Sequence, residues 1–271
     1  MPELPEVETT RRGISPHIRG RTVERVVIRH KQLRWPIPDD LPKKVIGQPI
    51  RDVSRRAKYL LIHFDHGCAI WHLGMSGNLR VLAGESPPGK HDHVDWVLSG
   101  GVILRFNDPR RFGALVWTED DPNSHFLLDH LGPEPLSDDF DGEYLFQATR
   151  KSQQNIKTWL MNASNVVGVG NIYANESLFG AGIHPLKVAR TLSRPRCEKL
   201  AAEIKKVLAR AIEQGGTTLR DFVGGDGKPG YFAQELNVYG RGGEPCKTCA
   251  KPLIEKRVGQ RTTVYCNVCQ K

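Results

Sequence analysis

Two groups of residues, near opposite ends of the 271-residue chain, have the types and spacing that chemistry requires. The first is Cys246-x-x-Cys249, sixteen intervening residues, then Cys266-x-x-Cys269. Zinc prefers tetrahedral thiolate, and each Cys-x-x-Cys turn delivers two sulfurs to one ion. Four protein ligands leave no open position, so the expected single Zn2+ is structural. Without metal, so short a segment has almost no core to fold it. Lys251, Lys256, Arg257 and Arg261 lie between the pairs and give the hairpin a basic face suited to phosphates. The second group is Pro2-Glu3-Leu4-Pro5-Glu6. Removal of Met1 would expose a secondary amine, and a model α-amine pKa of about 7.7–8.0 leaves a neutral fraction near neutrality. Such an amine can attack an electrophilic sugar carbon and form an iminium. Neighbouring carboxylates suit proton transfer. Taken alone, though, proline in second place usually has no chemical use, and Glu3 and Glu6 equally suit the acidic first turn of a helix.

The elements that must position these groups follow from periodicity. A short helix is expected from Glu6 to about Arg12, closed by Gly13 and Pro16. Short β-rich runs follow at Thr22–Ile28, Tyr59–Phe64, Ala69–Leu73, Asn78–Leu82, His93–Leu98, Val102–Phe106 and Ala114–Trp117. Their turn-separated rhythm indicates an antiparallel sandwich or barrel rather than βαβ units. Leu131–Ser137, with Gly132, Pro133 and Pro135, reads as a linker. Beyond it the period becomes helical, most clearly over 196–214, where Leu200, Ile204, Val207, Leu208, Ala211 and Ile212 recur before Gly215 and Gly216. Residues 139–151 and 171–180 also read as helical, and the tail after Tyr239 returns to short strands. Three domains are therefore expected, at 1–133, 134–238 and 239–271.

Composition narrows the function classes. Hydrophobic residues are 39% and charged residues 25%, the balance of a folded chain. No run approaches the roughly 18 apolar residues of a spanning helix, and no apolar leader opens the chain, so neither membrane insertion nor secretion is expected. Cys68 and Cys197 stand alone, which suits a reducing cytoplasm. A formal net charge of +9 fits a polyanionic partner, and fits a generally basic protein such as a ribosomal one equally well.

The motifs taken together are more specific. MPELPEVET at 1–9, AKYL at 57–60, HLGMSG at 72–77, KHDH at 90–93, DPRRFG at 108–113, GVGNIYANE at 168–176, DGKPGYF at 226–232 and the cysteine ribbon come in one order across the chain. In these motifs the sequence resembles the bacterial formamidopyrimidine-DNA glycosylases, the 8-oxoguanine DNA glycosylase/AP lyases. The related endonuclease VIII branch typically opens Pro-Glu-Gly-Pro; Leu4 in place of that glycine favours the oxidised-purine branch. One departure is Asn162, where the family usually has an aspartate.

The resemblance implies an α+β protein: an N-terminal antiparallel β-sandwich, then a helical domain with a helix–two-turn–helix element and a β-hairpin zinc finger. It implies a monomer that binds double-stranded DNA between the domains, excises 8-oxoguanine and formamidopyrimidines, and nicks the strand by β,δ-elimination. Pro2 would be the Schiff-base nucleophile and Glu3 the acid that assists base departure and sugar-ring opening. Lys58 would contact the phosphate beside the lesion and donate a proton in β-elimination. Arg261 would clamp phosphates and serve δ-elimination; its planar fork suits the clamp, while its permanent charge makes it a poor proton donor. Extruding a base costs a few kcal/mol and leaves a hole, which Met75, Arg110 and Phe112 would fill; Met75 and Phe112 would otherwise read as core. His91, Arg110 and Asn171 would bind DNA. Glu6, Thr217, Thr218 and Tyr231 would meet the lesion, the last three from a loop over the everted base. Two other readings stay open: a DNA-binding module whose retained Met1 blocks the amine, and a glycosylase for oxidised pyrimidines.

Overall fold

The computed structural model describes residues 2–84, 86–216 and 235–271, and divides into two compact units. Unit 1 is built on residues 2–130 and includes 214–216; unit 2 comprises 131–213 and 235–271. No helix among the described residues is long and apolar enough to cross a membrane.

Unit 1 opens with helix α1, Leu4–Ile18. It runs past Gly13 and contains Pro16, so the expected stop at Gly13 does not occur. Glycine costs a helix about 1 kcal/mol and proline about 3, but Ile14 and Ile18 are both fully buried. Burying such side chains contributes about 1.5–3 kcal/mol each, so the core carries the helix through its breakers. Among the described residues, eight strands follow in two antiparallel sheets. Strands β1 (Val23–Ile28), β5 (Asn78–Ala83), β6 (Asp92–Leu98) and β7 (Val102–Asn107) form one, in the order β1-β6-β7-β5. Strands β2 (Asp52–Arg56), β3 (Tyr59–Phe64), β4 (Gly67–His72) and β8 (Ala114–Thr118) form the other, in sequence order. A short helix, α2 (Leu41–Val45), lies between β1 and β2 in the chain.

The two sheets share one core, which makes this unit a sandwich. Leu60, Ile62 and Trp71 from one sheet and Trp96, Leu104 and Phe106 from the other join one buried cluster with Val7, Ile14 and Ile18 of α1. Trp71 sits at its centre, its ring 5.2 Å from Trp96 and 5.6 Å from Phe106.

Unit 2 is helical: α3 (Gly142–Thr149), α4 (Ile156–Leu160), α5 (Asn171–Ala181) and α6 (Arg194–Glu213). Helix α6 buries Cys197, Leu200, Ala201, Ile204, Leu208, Ala211 and Ile212, the stripe that its periodicity predicts. A two-stranded hairpin follows, β9 (Ile254–Val258) and β10 (Arg261–Tyr265). Its turn, Gly259–Gln260, has φ of +54° and +61°. Positive φ at both central residues is what a tight hairpin with right-handed strand twist needs.

Candidate functional site

At the start of unit 1, Pro2 is buried directly before α1. Glu3 is the N-cap and Glu6 the third helical residue, and their carboxylates form a capping box. Glu6 Oε2 accepts the Glu3 N–H at 2.9 Å. Both carboxylates are almost sealed, Glu3 3% and Glu6 1% exposed, so they are far from the solvated ends that a surface helix would show. Gly216, with φ of +79°, packs on Glu6: a Cβ there would stand 3.1 Å from Glu6 Oε1.

Lys58 occupies the two-residue turn between β2 and β3, where Arg56 pairs with Tyr59 and Ala57 has φ of +54°. The turn is tied to α1 through residues that the sequence reading missed. Arg55 donates from Nη1 to the Ala57 carbonyl at 2.8 Å and from Nε to Glu8 at 3.3 Å. Glu8 also holds Arg11 and Arg12. Burial alone would raise the Glu8 carboxyl, but hydrogen bonds from Arg11 and Arg12, with the charges of Arg11 and Arg55, outweigh it and keep its pKa below the ordinary carboxylate range. The i+3 and i+4 spacing of Arg11 and Arg12 was the available signal. Across from the turn, His72 is pushed down to about 4, first by burial and then by Lys58 and Arg34.

Met75, Arg110 and Phe112 come from two turns that the fold presses together. Gly74 has φ of +66°, and a Cβ on it would meet Gly113 N and Phe112 C at 2.5 Å. Only glycine allows that backbone contact. Asp108, fully buried, pins both turns. Its Oδ1 accepts Ser76 Oγ at 2.9 Å and its Oδ2 accepts the Gly113 N–H at 2.8 Å. Phe112 is 45% exposed, and the Arg110 guanidinium lies 4.9 Å over its ring. Phe112 is therefore an exposed aromatic faced by a cation, not a core residue. His91 is joined to the same base, its carbonyl accepting the Asp108 N–H at 3.0 Å.

In unit 2, Asn171 is the first residue of α5 and the exposed Arg261 the first of β10. Asn171 Nδ2 donates to the carbonyl of Thr262, next to Arg261, at 3.0 Å. Its Oδ1 is buried without a hydrogen-bond partner among the described residues. Lys157 Nζ reaches the same carbonyl at 3.0 Å and Thr263 Oγ1 at 2.6 Å. Asn175 Oδ1 accepts the Val264 N–H at 2.9 Å. Hence α4 and α5 fix β10, and with it Arg261. Glu176 was also missed as a positioning residue: its carboxylate takes the backbone N–H groups of Asn237, Val238 and Tyr239 at 2.8–2.9 Å. Thr217, Thr218 and Tyr231 lie outside the described residues.

Cys246, Cys249, Cys266 and Cys269 bring their sulfurs within 4.8 Å of one another. The separations are 3.9 Å for Cys246–Cys269 and 3.4 Å for Cys249–Cys266. Tetrahedral zinc with Zn–S near 2.3 Å needs sulfurs about 3.8 Å apart, so the donor set fits the ion. Bound there, the metal supplies folding energy rather than reaction chemistry.

The chain thus carries a buried N-terminal carboxylate pair, two turns pinned together by one aspartate, an asparagine-headed helix and a four-cysteine hairpin. Three family models match in order: the formamidopyrimidine-DNA glycosylase N-terminal domain over residues 1–115, its H2TH domain over 131–223, and the zinc finger found in FPG and IleRS over 243–271. The chain is 62% identical to the formamidopyrimidine-DNA glycosylase of Saccharophagus degradans and 59% to that of Escherichia coli, in each case over all of both chains. Its fold matches the MutM (Fpg) crystal structure from Thermus thermophilus with a TM-score of 0.89 at 38% identity, covering 99% of this chain and 98% of that one. It matches a point mutant of Lactococcus lactis FPG, in complex with Fapy-dG-containing DNA, at 0.93 and 34%, covering all of both. The chain belongs to the bacterial formamidopyrimidine-DNA glycosylase family.

Proposed function

We propose that this glycosylase excises 8-oxoguanine and formamidopyrimidines from duplex DNA and cuts the strand through a Schiff base on Pro2. The observation that carries the reading is the burial of Glu3 and Glu6 beside Pro2, which holds two carboxylates close to the chain start instead of in water. The Pro2 nitrogen attacks the anomeric carbon as the damaged base departs; Glu3 passes a proton to the opening sugar. The iminium so formed makes the adjacent carbon acidic, and loss of a proton there expels the 3′ phosphate in β-elimination. A second elimination expels the 5′ phosphate. Lys58 meets the phosphate beside the lesion and supplies the proton of the first elimination. Arg261 clamps phosphate in the second. Met75, Arg110 and Phe112 fill the vacated stack, His91 and Asn171 hold the backbone, and Glu6 with Thr217, Thr218 and Tyr231 contacts the lesion. In this reading residues 1–133 carry the chemistry, while 134–238 and 239–271 grip the backbone. The enzyme works as a monomer on chromosomal DNA in the bacterial cytoplasm.

Borohydride reduction during reaction tests the scheme. Protein lacking Met1 should become covalently joined to a duplex carrying 8-oxoguanine opposite cytosine, and protein retaining Met1 should not. Absence of the adduct in the Met1-free protein would defeat the proposal. A second substrate reading has one observation behind it: a wild-type Lactococcus lactis FPG structure contains DNA with an oxidized pyrimidine. A clear preference for thymine glycol over 8-oxoguanine would favour it.

A further inference from the structure

Unit 1 holds a cavity of about 370 Å³ whose wall is dominated by Arg29, His30, Lys90, His91, His93 and Arg111. Of these only His91 has a role in the scheme above. The wall is braced from behind. Asp95 holds Arg29 Nη2 at 2.6 Å and takes Arg105 Nε and Nη2, both at 2.8 Å. Asp92, the carboxylate in the wall itself, accepts Arg80 Nη2 at 2.7 Å, Asn107 Nδ2 at 2.8 Å and the Gly89 N–H at 2.7 Å. These pairings occupy both carboxylates and leave the cavity with an excess of cations.

Hydrogen-bond direction fixes the role of one nitrogen in each of two rings. His93 Nε2 lies 2.8 Å from the carbonyl of Asp108, which can only accept, so this nitrogen carries a hydrogen. Arg111 Nη1 meets His30 Nε2. A guanidinium can only donate, so His30 Nε2 offers a lone pair and the ring is neutral. The His30 ring stands 5.4 Å from that of His93, which stands 6.5 Å from that of His91. We propose that this cavity seats one backbone phosphate of bound DNA, and that His30 takes up a proton from solvent as the phosphate enters.

The exchange follows from what each group prefers. Phosphate oxygens accept the planar guanidinium fork better than one imidazole nitrogen does. Arg111 therefore turns to the phosphate and releases His30 Nε2, which binds a proton and donates to a phosphate oxygen in turn. Partial burial, the charge of Arg111 and the His93 ring hold His30 below the usual imidazole pKa in the free protein. A phosphate reverses the second of these effects. The other charged or titratable groups of the wall are Arg29, Lys90, His91 and the fully engaged Asp92. Continuity with His91 and the adjacent Arg110–Phe112 pair argues for DNA rather than a free anion.

This inference rests on the DNA-binding reading, and its test separates the two. Binding of the zinc-loaded full chain to an undamaged duplex is measured by fluorescence anisotropy from about 50 to about 200 mM salt, near pH 6 and near pH 8. One extra protonated contact steepens the salt dependence by about 0.9. The wild type should thus lose an additional ~3.5-fold in affinity across that range at the lower pH. His30→Gln should match the wild type at the higher pH and lack this additional steepening at the lower, leaving only the pH change that His91 and the other histidines contribute to both proteins. Equal pH-dependent changes of slope in the wild type and in His30→Gln would overturn the proposal while leaving DNA binding intact. No binding at either pH would bring down the DNA reading, and this inference with it.

Discussion

His72 shows how much one side chain can reveal about the site around it. Its Nδ1 accepts the Gly74 N–H at 3.0 Å, which fixes the turn that presents Met75. Tyr59 packs against the ring at 4.7 Å between centroids. Protonation would turn that acceptor into a donor facing a donor, and burial with the charges of Lys58 and Arg34 pushes the pKa down to about 4. An unfolded histidine titrates near 6.5. Between those values the unfolded chain binds more protons than the folded one, so stability falls as pH falls through that window and is flat above it. At about pH 5 the loss should be about 1–2 kcal/mol relative to pH 7.5. Urea denaturation at the two pH values measures it. His72→Asn keeps an acceptor near the Nδ1 position without the titration, so its loss should be smaller by that amount. Equal losses in the two proteins would show that His72 is not held neutral.

At the scale of elements, the zinc hairpin is the part least able to stand alone. Its buried cluster is Val238, Cys246, Leu253, Val264 and Cys266, two of the five being metal ligands. Metal loss should therefore unfold β9 and β10 and scatter Arg261, while the sandwich, which has its own core, persists. Cys249→Ala is expected to lose zinc and DNA binding, and limited proteolysis should cut the C-terminal segment while leaving the N-terminal unit whole. A zinc-free variant that nicks lesion DNA at the normal rate would show the hairpin to be dispensable. The cysteine spacing made this element legible from sequence, because ligand geometry is local. The strand runs and α6 were legible for a similar reason, since periodicity is local too. Strand β2 was not: Asp52-Val-Ser-Arg-Arg56 has a single apolar residue, and pairing with β3 makes it a strand. The same holds for the true length of α1, for Asp108 and Glu176, whose partners are distant in sequence, and for the tie of Glu8 to Arg55, although its pairs with Arg11 and Arg12 are local. The Cys-x-x-Cys pairs name their ligand; an isolated buried aspartate names nothing until the turns it joins are seen.

For the whole molecule the governing quantity is charge. The formal +9 counts cysteines as neutral; a zinc ion held by four thiolates lowers it by two, so the loaded protein stays cationic. A cationic protein meets a duplex through phosphates whatever its sequence, and each phosphate neutralised contributes about 0.9 to the slope of log affinity against log salt. Lys58 and Arg110 in unit 1 and Arg261 in unit 2 are three charged contacts of the proposed interface. Together they call for a slope of at least about −2.7, so a fourfold rise in salt should weaken binding to undamaged DNA by roughly 40-fold. The slope also counts contributors independently of lesion chemistry. Lys58→Gln and Arg261→Gln should each make it shallower by about 0.9, and the double variant by about 1.8, because the two residues belong to separate compact units and their effects should add. Titrating a fluorescent duplex against each variant over a salt series gives these slopes directly. Were Arg261→Gln to leave the slope unchanged, the hairpin would not be holding phosphate, and the second elimination assigned to it would need another residue.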